Sequence, residues 1–451
     1  MILKKDWLFR LEFFGGILIN KKNFDRYELS FDEALFLKAV QLVKPDDAKY
    51  IVSKILGKET LNINRIMELN LLEWHETLPE NSIETVYHEL LTEYEKVSNQ
   101  HFLSFPLEIT LYPSMVCNLN CKFCFLGNKR DKRIYDSTKW GKIIRESKQH
   151  GALSISILGG EPALYFDIDN LLIECEKNEI NTIITTNALM LKESTKQILF
   201  HSKFITPAVS LQTLDNLNML LMGCDSIKQQ KFIEECVANG KNVRVNSVYT
   251  FQTFEQIARI FDYCVQTGVS RYSVANYANT KINQEMSGAH TLTELDILDK
   301  KMKAYISSKY GSCSDLPTFS AEGCMLYSCY ADKITDKITF SPFEKQYFSC
   351  RGKYTNMEIY SDGSVYPCFR FETVTQSTSN IFESNLSLLD VWHNDLNYQQ
   401  IRSQKSQNDI CQKCSFIEIC EGGCYPSRLK TADFDISTIR DPNCQFCKRI
   451  S

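Results

Sequence analysis

A regular alternation of strand-like and helix-like segments from Leu107 onwards most constrains how this chain can fold. Six strand candidates occur in order, and they read LEITLY, LSISIL, NTIITT, TPAVSL, VRVNSV and RYSVANY. Each of the first five is followed by a loop and a helical stretch, such as WGKIIRESKQHG, that ends in glycine. Strands that alternate with helices form a parallel sheet with helices outside it. Six units are too few for a closed eight-stranded barrel, so the pattern predicts an α/β fold with a partial (β/α)6 barrel over residues 105–312.

Residues 1–78 have a different character. LFRLEFFGGILIN predicts two short strands around Gly15 and Gly16, and Ser30 with Glu33 forms a capping box before a helix. A second short helix and an extended TLNINRIMEL follow. This combination predicts a winged-helix-like module, which is either a structural cap or a peptide dock that uses a sheet edge.

An amphipathic helix within residues 79–104 is expected to link this module to the barrel. Ile83, Val86, Leu90 and Tyr94 lie on one of its faces. After the barrel, residues 313–451 are rich in cysteine, and MEIYSDGSVYP predicts a hairpin that turns at Asp362–Gly363. A region with so little core and so many thiols is expected to need metal to fold.

The chain has 18 cysteines, an outlying number for a chain with no secretion signal at its start. A reducing cytosol disfavours disulfides, so a set this dense indicates metal binding and a cytoplasmic protein. Most of them fall in short-spaced groups. Four lie inside apolar-periodic stretches and are interpreted as ordinary buried thiols: Cys175, Cys224, Cys236 and Cys264.

One cysteine group, CNLNCKFC, follows the first barrel strand and contains Cys117, Cys121 and Cys124. Three thiolates are one short of both a four-cysteine zinc site and a fully ligated iron–sulfur cubane. The spacing therefore predicts a cluster with one open iron, and a zinc site is the alternative. GGEP, at Gly159–Pro162, follows the second strand. Active groups gather at the carboxyl ends of parallel strands, so both motifs are expected at the active edge of the sheet.

With the aromatic Phe123 directly before its last cysteine, this loop resembles the cluster-binding loop of radical S-adenosylmethionine (SAM) enzymes, and GGEP resembles their second motif. The resemblance covers residues from about 105 to 310. It implies a 4Fe–4S cluster on the three cysteines, whose open iron chelates the amino and carboxylate groups of SAM. Glycines permit close backbone approach, and a carboxylate can meet the ammonium group. The SAM contacts are assigned to Phe123, Gly159, Gly160, Glu161, Pro162, Ser210 and Asn246.

The C-terminal cysteines resemble the SPASM extension of peptide-modifying radical SAM enzymes, which holds two auxiliary 4Fe–4S clusters. Carried over, the resemblance assigns the first cluster to Cys350, Cys368 and Cys424. It assigns the second to Cys411, Cys414, Cys420 and Cys444. The first cluster lacks a fourth ligand, for which the unassigned thiols are Cys324, Cys329 and Cys447. If none binds, an open iron faces the substrate and is able to hold its cysteine sulfur.

The resemblance implies a radical SAM peptide maturase with three 4Fe–4S clusters. A ribosomally made precursor peptide is expected to bind through its leader at the N-terminal module. Because the first auxiliary cluster looks one ligand short, a cysteine thioether is the expected product. A carbon–carbon side-chain crosslink and a formylglycine-type protein modification are the enzymatic alternatives, and an iron–sulfur electron carrier is the non-enzymatic one. No spacing singles out a catalytic general base.

The bulk composition excludes several other classes of partner. No run approaches 18 apolar residues, so no membrane span is expected. The net charge of −4 with mixed signs gives no basic stripe for nucleic acid. A flavodoxin- or ferredoxin-type reductant is expected to supply electrons, and the chain is expected to act as a monomer.

Overall fold

The computed structural model describes residues 1–21, 25–69, 71–73, 81–126, 133–278, 286, 288–311, 313–324, 340–431 and 435–444. The chain forms two compact units. The N-terminal unit comprises Met1–Pro106 and Thr339–Phe348, and the C-terminal unit comprises Leu107–Ile338 and Ser349–Ser451. No helix in the described part of the chain is both long enough and apolar enough to cross a membrane.

Before Pro106, the described residues of the N-terminal unit form five strands and four helices. The strands are β1 (Ile2–Leu3), β2 (Trp7–Glu12), β3 (Gly15–Asn20), β4 (Arg26–Leu29) and β5 (Leu72–Glu73). The helices are α1 (Phe31–Ala39), α2 (Pro45–Leu56), α3 (Asn64–Glu68) and α4 (Ile83–Ser98). β2, β3 and β4 form an antiparallel sheet, and β1 pairs with β5. The predicted capping box is present at the start of α1, where Ser30 and Glu33 satisfy each other's backbone amides.

Two local expectations in this unit need correction. TLNINRIMEL, expected to be extended, contains α3, because burying Ile66 in the unit's core favours a helical turn there. On α4 the predicted face is right for Val86 and Leu90, which are buried, but Ile83 is exposed. α4 also packs into the core of the N-terminal unit, so it is more than a connector.

The N-terminal unit also includes a helix far along the sequence, Pro342–Phe348. The Arg26 guanidinium lies over the Tyr347 ring, 4.2 Å from its centroid, and the Ser341 hydroxyl donates to the Glu28 carboxylate. This segment, which the sequence analysis included in the cysteine-rich region, thus packs within the N-terminal unit, and the expected domain boundaries stay a prediction.

In the described part of the C-terminal unit, nine strands form one sheet in the order β12-β11-β10-β9-β8-β7-β6-β13-β14. Its strands are β6 (Glu108–Leu111), β7 (Ser154–Ile157), β8 (Asn181–Thr186), β9 (Ile205–Ser210), β10 (Arg244–Tyr249), β11 (Arg271–Asn276), β12 (Thr318–Glu322), β13 (Asn356–Ile359) and β14 (Val365–Tyr366). β6 to β12 are parallel neighbours in chain order, which confirms the six predicted strands and the α/β class. β12 was not predicted, and β13 adds a further parallel strand beside β6.

Helices connect these strands, as the alternation predicts. They are α5 (Ser137–Gln149), α6 (Ile168–Lys177), α7 (Glu193–His201), α8 (Leu217–Met222), α9 (Ile227–Ala238), α10 (Phe254–Thr267) and α11 (Leu292–Tyr310). α5 shows why: Asp136 caps its first turn, and Trp140, Ile143 and Ile144 bury one face. Three of the four thiols expected to be buried are so: Cys175, Cys236 and Cys264.

The cysteine-rich region contains the predicted hairpin, since β13 and β14 pair antiparallel across a turn in which Gly363 has a φ of +86°. Short helices carry the rest of this region. They are Arg351–Tyr354, Phe369–Glu372, Leu388–Asn394, Leu396–Ser403, Asp409–Gln412, Ile417–Cys420 and Tyr425–Thr431.

Candidate active site and metal centres

The three-cysteine loop and the GGEP motif lie side by side at the carboxyl edge of the sheet. The last residues of β6 and β7 are register partners. Beyond the strands, the Gly160 N–H donates to the Ser114 carbonyl at 2.9 Å, and the Glu161 N–H donates to the Val116 carbonyl at 2.8 Å. The two motifs are therefore joined through their backbones.

Both glycines of the motif are required by this backbone contact. At Gly159, where φ is +132°, an added Cβ would lie 2.3 Å from the Ser114 carbonyl oxygen. At Gly160 it would lie 2.1 Å from the Val116 carbonyl oxygen. Only glycine fits at either position, so the pair lets the segment before Cys117 pack onto the end of β7. The close approach expected for SAM is made here by the chain itself, and contact of these glycines with SAM stays a prediction.

The Glu161 side chain is 2% exposed and accepts three hydrogen bonds. Its Oε1 accepts from the Thr186 hydroxyl at 2.5 Å and the Ala163 N–H at 3.1 Å, and its Oε2 accepts from the Asn187 N–H at 2.7 Å. Burial raises the pKa of this carboxyl, while the donors oppose the rise. The side chain thus ties the end of β7 to the end of β8, a role that the sequence analysis did not anticipate. Its predicted contact with the SAM ammonium group is not tested by these contacts.

The thiols of the three-cysteine loop lie within electrostatic range of one another. Cys117 is exposed, and Cys121 and Cys124 are half-buried. Burial raises the pKa of Cys121, and the neighbouring Cys124 and Cys117 raise it further. Cys224 is also within this range of Cys121 and is half-buried, which corrects its interpretation as an ordinary buried thiol. Three mutually repelling thiolates suit a cationic metal cluster, whose charge offsets the repulsion.

The other predicted SAM contacts lie along the same sheet. Ser210 and Asn246 are register partners on β9 and β10, and both are half-buried. Pro162 is buried and begins a short 3-10 helix. Phe123 is half-buried within the cysteine loop. The sheet therefore brings Ser210 and Asn246 together, and their contact with SAM stays a prediction.

Cys350, Cys368 and Cys424 form a second group, and Cys324 interacts electrostatically with all three. Cys350 and Cys368 pack against one aromatic core together with Tyr425, the residue after Cys424. Burial raises the pKa of Cys350, and Cys424 and Cys324 add to the rise. The pKa values of Cys368 and Cys424 are also raised first by burial, and Cys324 contributes to both shifts. Of the three thiols left unassigned, Cys324 is the one within the described residues.

The remaining C-terminal cysteines form a third group. Burial raises the pKa of Cys414, and Cys444 and Cys411 contribute; burial also raises the pKa of Cys420, to about 12, with Cys444 and Cys414 contributing. The electrostatic neighbours thus include the four cysteines of the motif, Cys411, Cys414, Cys420 and Cys444, and their role as ligands of one cluster stays a prediction. Two other candidate ligands, Cys329 and Cys447, lie outside the described residues.

Arg370 is a functional candidate that the sequence analysis missed. It lies two residues after Cys368, and its buried Nε has no hydrogen-bond partner among the described residues. Burial alone would lower the pKa of Arg370, but the thiols of Cys424, Cys324 and Cys368 outweigh it and raise the pKa above its ordinary value. A permanent positive charge thus faces the second cysteine group. Its only sequence signal is its position beside a cysteine of the motif.

An aromatic and carboxyl cluster connects the first two cysteine groups. The Tyr112 hydroxyl donates to Glu358 at 2.9 Å, and the Tyr112 ring stacks on Tyr360 with centroids 4.4 Å apart. The Phe125 and Phe369 rings, one from each cysteine segment, lie 4.6 Å apart. Burial raises the pKa of Glu358 to about 7, while the hydrogen bond from Tyr112 opposes the rise. The two groups therefore share one tightly packed interior.

Within the described residues, no three Cys, His, Asp or Glu side chains lie close enough to hold a single metal ion. The members of the three cysteine groups are all free thiols.

Comparison with known proteins places this arrangement in a family. Residues 111–272 match the radical SAM superfamily, and residues 350–415 match SPASM, an iron–sulfur cluster-binding domain. The structure of Streptococcus suis SuiB bound to S-adenosylmethionine is 41% identical, with a TM-score of 0.88, and the match covers 99% of this chain and 100% of SuiB. The chain belongs to the radical SAM superfamily.

Two further matches concern peptides. The structure of SuiB bound to its precursor peptide SuiA is 42% identical in sequence to this chain, with a TM-score of 0.88. The match covers 98% of this chain and 99% of SuiB. The PqqA peptide cyclase of Granulibacter bethesdensis is 24% identical over 344 residues, which are 73% of this chain and 84% of the relative. The predicted resemblance to radical SAM/SPASM peptide maturases is confirmed. This radical SAM enzyme uses SAM and iron–sulfur clusters, and the electron-carrier alternative is set aside.

Proposed function

We propose that this radical SAM enzyme installs a crosslink in a ribosomally made precursor peptide. The whole-chain match to SuiB, a protein whose structure holds its precursor peptide, carries the proposal. The match includes the N-terminal unit, which a radical SAM barrel does not itself require. A formylglycine-type modification of a folded protein has no comparable need for such a unit.

Three 4Fe–4S clusters are proposed, one for each cysteine group. Cys117, Cys121 and Cys124 hold the SAM-binding cluster, and the four thiols of the third group hold an auxiliary cluster. The other auxiliary cluster is held by Cys324, Cys350, Cys368 and Cys424. The assignment of Cys324 is supported by its electrostatic interaction with all three partners.

This ligand set changes the expected product. The thioether expectation depended on an open iron in the first auxiliary cluster, which would hold a cysteine sulfur of the peptide. With four thiols at that position, no iron is left open for the substrate. We therefore favour a carbon–carbon side-chain crosslink, and a thioether is the alternative.

When bound, SAM and its cluster supply the 5'-deoxyadenosyl radical that takes a hydrogen atom from a carbon of the peptide. The chain's own residues prepare this step. Gly159 and Gly160 fix the cysteine loop on the end of β7, and Glu161 fixes the ends of β7 and β8. The surplus electron left after bond formation is proposed to leave through the second cysteine group. The shared interior with Tyr112 and Phe125 supports this direction, because it joins that group to the SAM-binding loop.

The leader of the precursor peptide is proposed to bind the N-terminal unit. Among the described strands, β2 and β4 are the edges of its antiparallel sheet. An edge strand offers unpaired backbone groups to an extended peptide. A flavodoxin- or ferredoxin-type protein is the proposed reductant, and the chain is proposed to act as a monomer. The density of free thiols favours the reducing cytoplasm.

Anaerobic co-expression with a short open reading frame encoded beside the gene tests the proposal. Mass spectrometry after thiol alkylation should find a peptide lighter by two hydrogens. If its cysteines remain alkylatable, the bond is carbon–carbon; if one cysteine is blocked, it is a thioether. A peptide that shows no SAM-dependent mass change would overturn the proposed function.

A further inference from the structure

Two arginines lie side by side at the start of β10 and β11. Arg244 and Arg271 are the first residues of these strands and are register partners in the parallel pair. Both are half-buried. Asn246 lies two residues along β10, so its side chain lies on the same face as Arg244. That face also includes Ser210, the register partner of Asn246 on β9, so the arginines share the surface predicted to contact SAM.

Neither guanidinium has a hydrogen bond or ion pair to the described residues. Burial lowers the pKa of Arg244, and the neighbouring Arg271 lowers it further, while Glu322 and Glu108 oppose the shift. Like charges on register partners repel, and half-burial reduces the solvation that would screen them. Among the described residues, the pair is thus a positive site without a direct ion-pair partner, although Glu322 and Glu108 act on it electrostatically.

The two nearest carboxylates have other partners. Glu108 accepts from the Arg351 guanidinium at 2.5 Å and from the Ser156 hydroxyl at 2.6 Å. Glu322 accepts from the hydroxyls of Ser273 and Ser320 at 2.8 and 3.2 Å. Both carboxylates act on Arg244 electrostatically, but neither makes an ion pair with Arg244 or Arg271. Within the described residues, the two guanidiniums therefore have donors free for a further carboxylate.

The chemistry of the pair favours a carboxylate. Guanidinium groups bind carboxylates through paired hydrogen bonds, and two adjacent guanidiniums present such donors from both strands. The carboxylate of SAM would be held at the opposite end of the strands, by the cysteine loop. Arg244 and Tyr249 are the two ends of β10 and lie roughly 16 Å apart along the strand, with the predicted SAM contact Asn246 between them.

We infer that Arg244 and Arg271 bind an acidic side chain of the precursor peptide and so fix the peptide's register in the barrel. This inference rests on the proposed function. If one carboxylate of the peptide is held at the amino ends of β10 and β11, its position decides which peptide carbon reaches the carboxyl ends of the strands, where SAM is proposed to bind. The pair therefore sets substrate selectivity and leaves SAM cleavage intact.

Steady-state kinetics of the reconstituted enzyme with the co-expressed precursor peptide test this. Arg244→Met and Arg271→Met should each raise the KM for the peptide about tenfold or more, the loss expected when a hydrogen bond to a charged group is removed. The KM for SAM and peptide-independent SAM cleavage should stay unchanged. Arg244→Lys and Arg271→Lys should recover much of the loss, and Arg133→Met, at an exposed surface ion pair, is the matched control.

Peptide variants identify the partner. Each acidic residue of the peptide is replaced by its amide, and one replacement should raise the KM as the arginine variants do. That replacement should add little in the Arg271→Met background, because the same interaction is already lost.

The outcomes separate the two proposals. A wild-type enzyme that leaves the peptide unmodified overturns the proposed function, and this inference falls with it. If the wild type works and the methionine variants keep their peptide KM, the inference alone is overturned. A raised KM for SAM instead would assign the arginines to the SAM carboxylate and would also overturn it.

Discussion

The three-cysteine loop and the second cysteine group are both proposed to bind a cluster through cysteine thiolates, but their thiols come from different parts of the chain. The loop draws three thiols from one short segment at the edge of the sheet, and its first thiol, Cys117, is exposed. The second group draws four thiols from segments around Cys324, Cys350, Cys368 and Cys424, and an arginine faces them. Three thiols close together in sequence are proposed to leave one iron of their cluster open for SAM, whereas four thiols from distant segments are proposed to bind every iron of theirs. This is the difference that we expect between a site that cleaves SAM and a site that transfers electrons.

The largest expected effect is the loss of SAM cleavage when a thiol of the three-cysteine loop is removed. Cys117→Ala should reduce 5'-deoxyadenosine formation to background, because two thiolates do not hold a cubane that binds SAM. Chromatography of the reaction with dithionite measures this product. Cys313→Ala is the control, since Cys313 is exposed and has no part in the three groups. SAM cleavage that survives in Cys117→Ala would break the assignment of the loop.

Removing a thiol of the second cysteine group should separate SAM cleavage from peptide crosslinking. Cys324→Ala is expected to keep 5'-deoxyadenosine formation but to lose the crosslinked peptide, because the first auxiliary cluster loses a ligand. Electron paramagnetic resonance of the reduced protein should show an altered auxiliary signal. Cys313→Ala again serves as the matched control. Normal product with an unaltered signal would return the fourth ligand to Cys329, Cys447 or an open iron.

A smaller effect, on stability and SAM binding, is expected when the backbone contact that positions the three-cysteine loop is disturbed. Gly159→Ala combines a strained φ of +132° with a Cβ placed 2.3 Å from the Ser114 carbonyl oxygen. Gly240→Ala has a strained φ of +70° but nothing within 4 Å. The control should lose about 1 kcal/mol in its free energy of unfolding, from the strained conformation alone. Gly159→Ala should lose more and should also weaken SAM binding, as denaturant titration and equilibrium dialysis would measure. Equal losses would mean that the loop does not depend on this contact.

The smallest expected effect is a change in the reduction potential of the first auxiliary cluster when a nearby charge is removed. Arg370→Gln removes the positive charge that faces Cys424, Cys324 and Cys368, so it should lower the reduction potential of the first auxiliary cluster. Arg370→Lys keeps the charge and should keep most of the potential. A redox titration followed by electron paramagnetic resonance measures both. A shift of the same size in both variants would point to lost packing and not to lost charge.

The elements with a strong periodic signal were predictable. β6 to β11 alternate with helices, and apolar residues mark each of them. β12 was missed because TFSAE has little apolar character and follows the long helix α11. α3 was read as extended because its helical turn depends on burying one residue, Ile66, against distant parts of the N-terminal unit.

Within the site, predictions succeeded where the signal was local in sequence. The three-cysteine loop and GGEP were expected at one edge, and backbone hydrogen bonds join them there. The contacts of Glu161 with Thr186 and Asn187 were not foreseen, because they connect strands whose alignment only the folded sheet provides. Arg370 was not foreseen for the same reason, since its three thiol neighbours come from separate segments.

The sequence by itself determined the kind of chemistry. Covalent connectivity fixes the spacing of Cys117, Cys121 and Cys124, so the sequence alone predicts a cluster with one open iron. Only the tertiary structure shows that Cys324 comes within electrostatic range of Cys350, Cys368 and Cys424, and that two arginines become neighbours on β10 and β11. Distances between residues far apart in sequence depend on how strands and helices pack, and no local pattern records them.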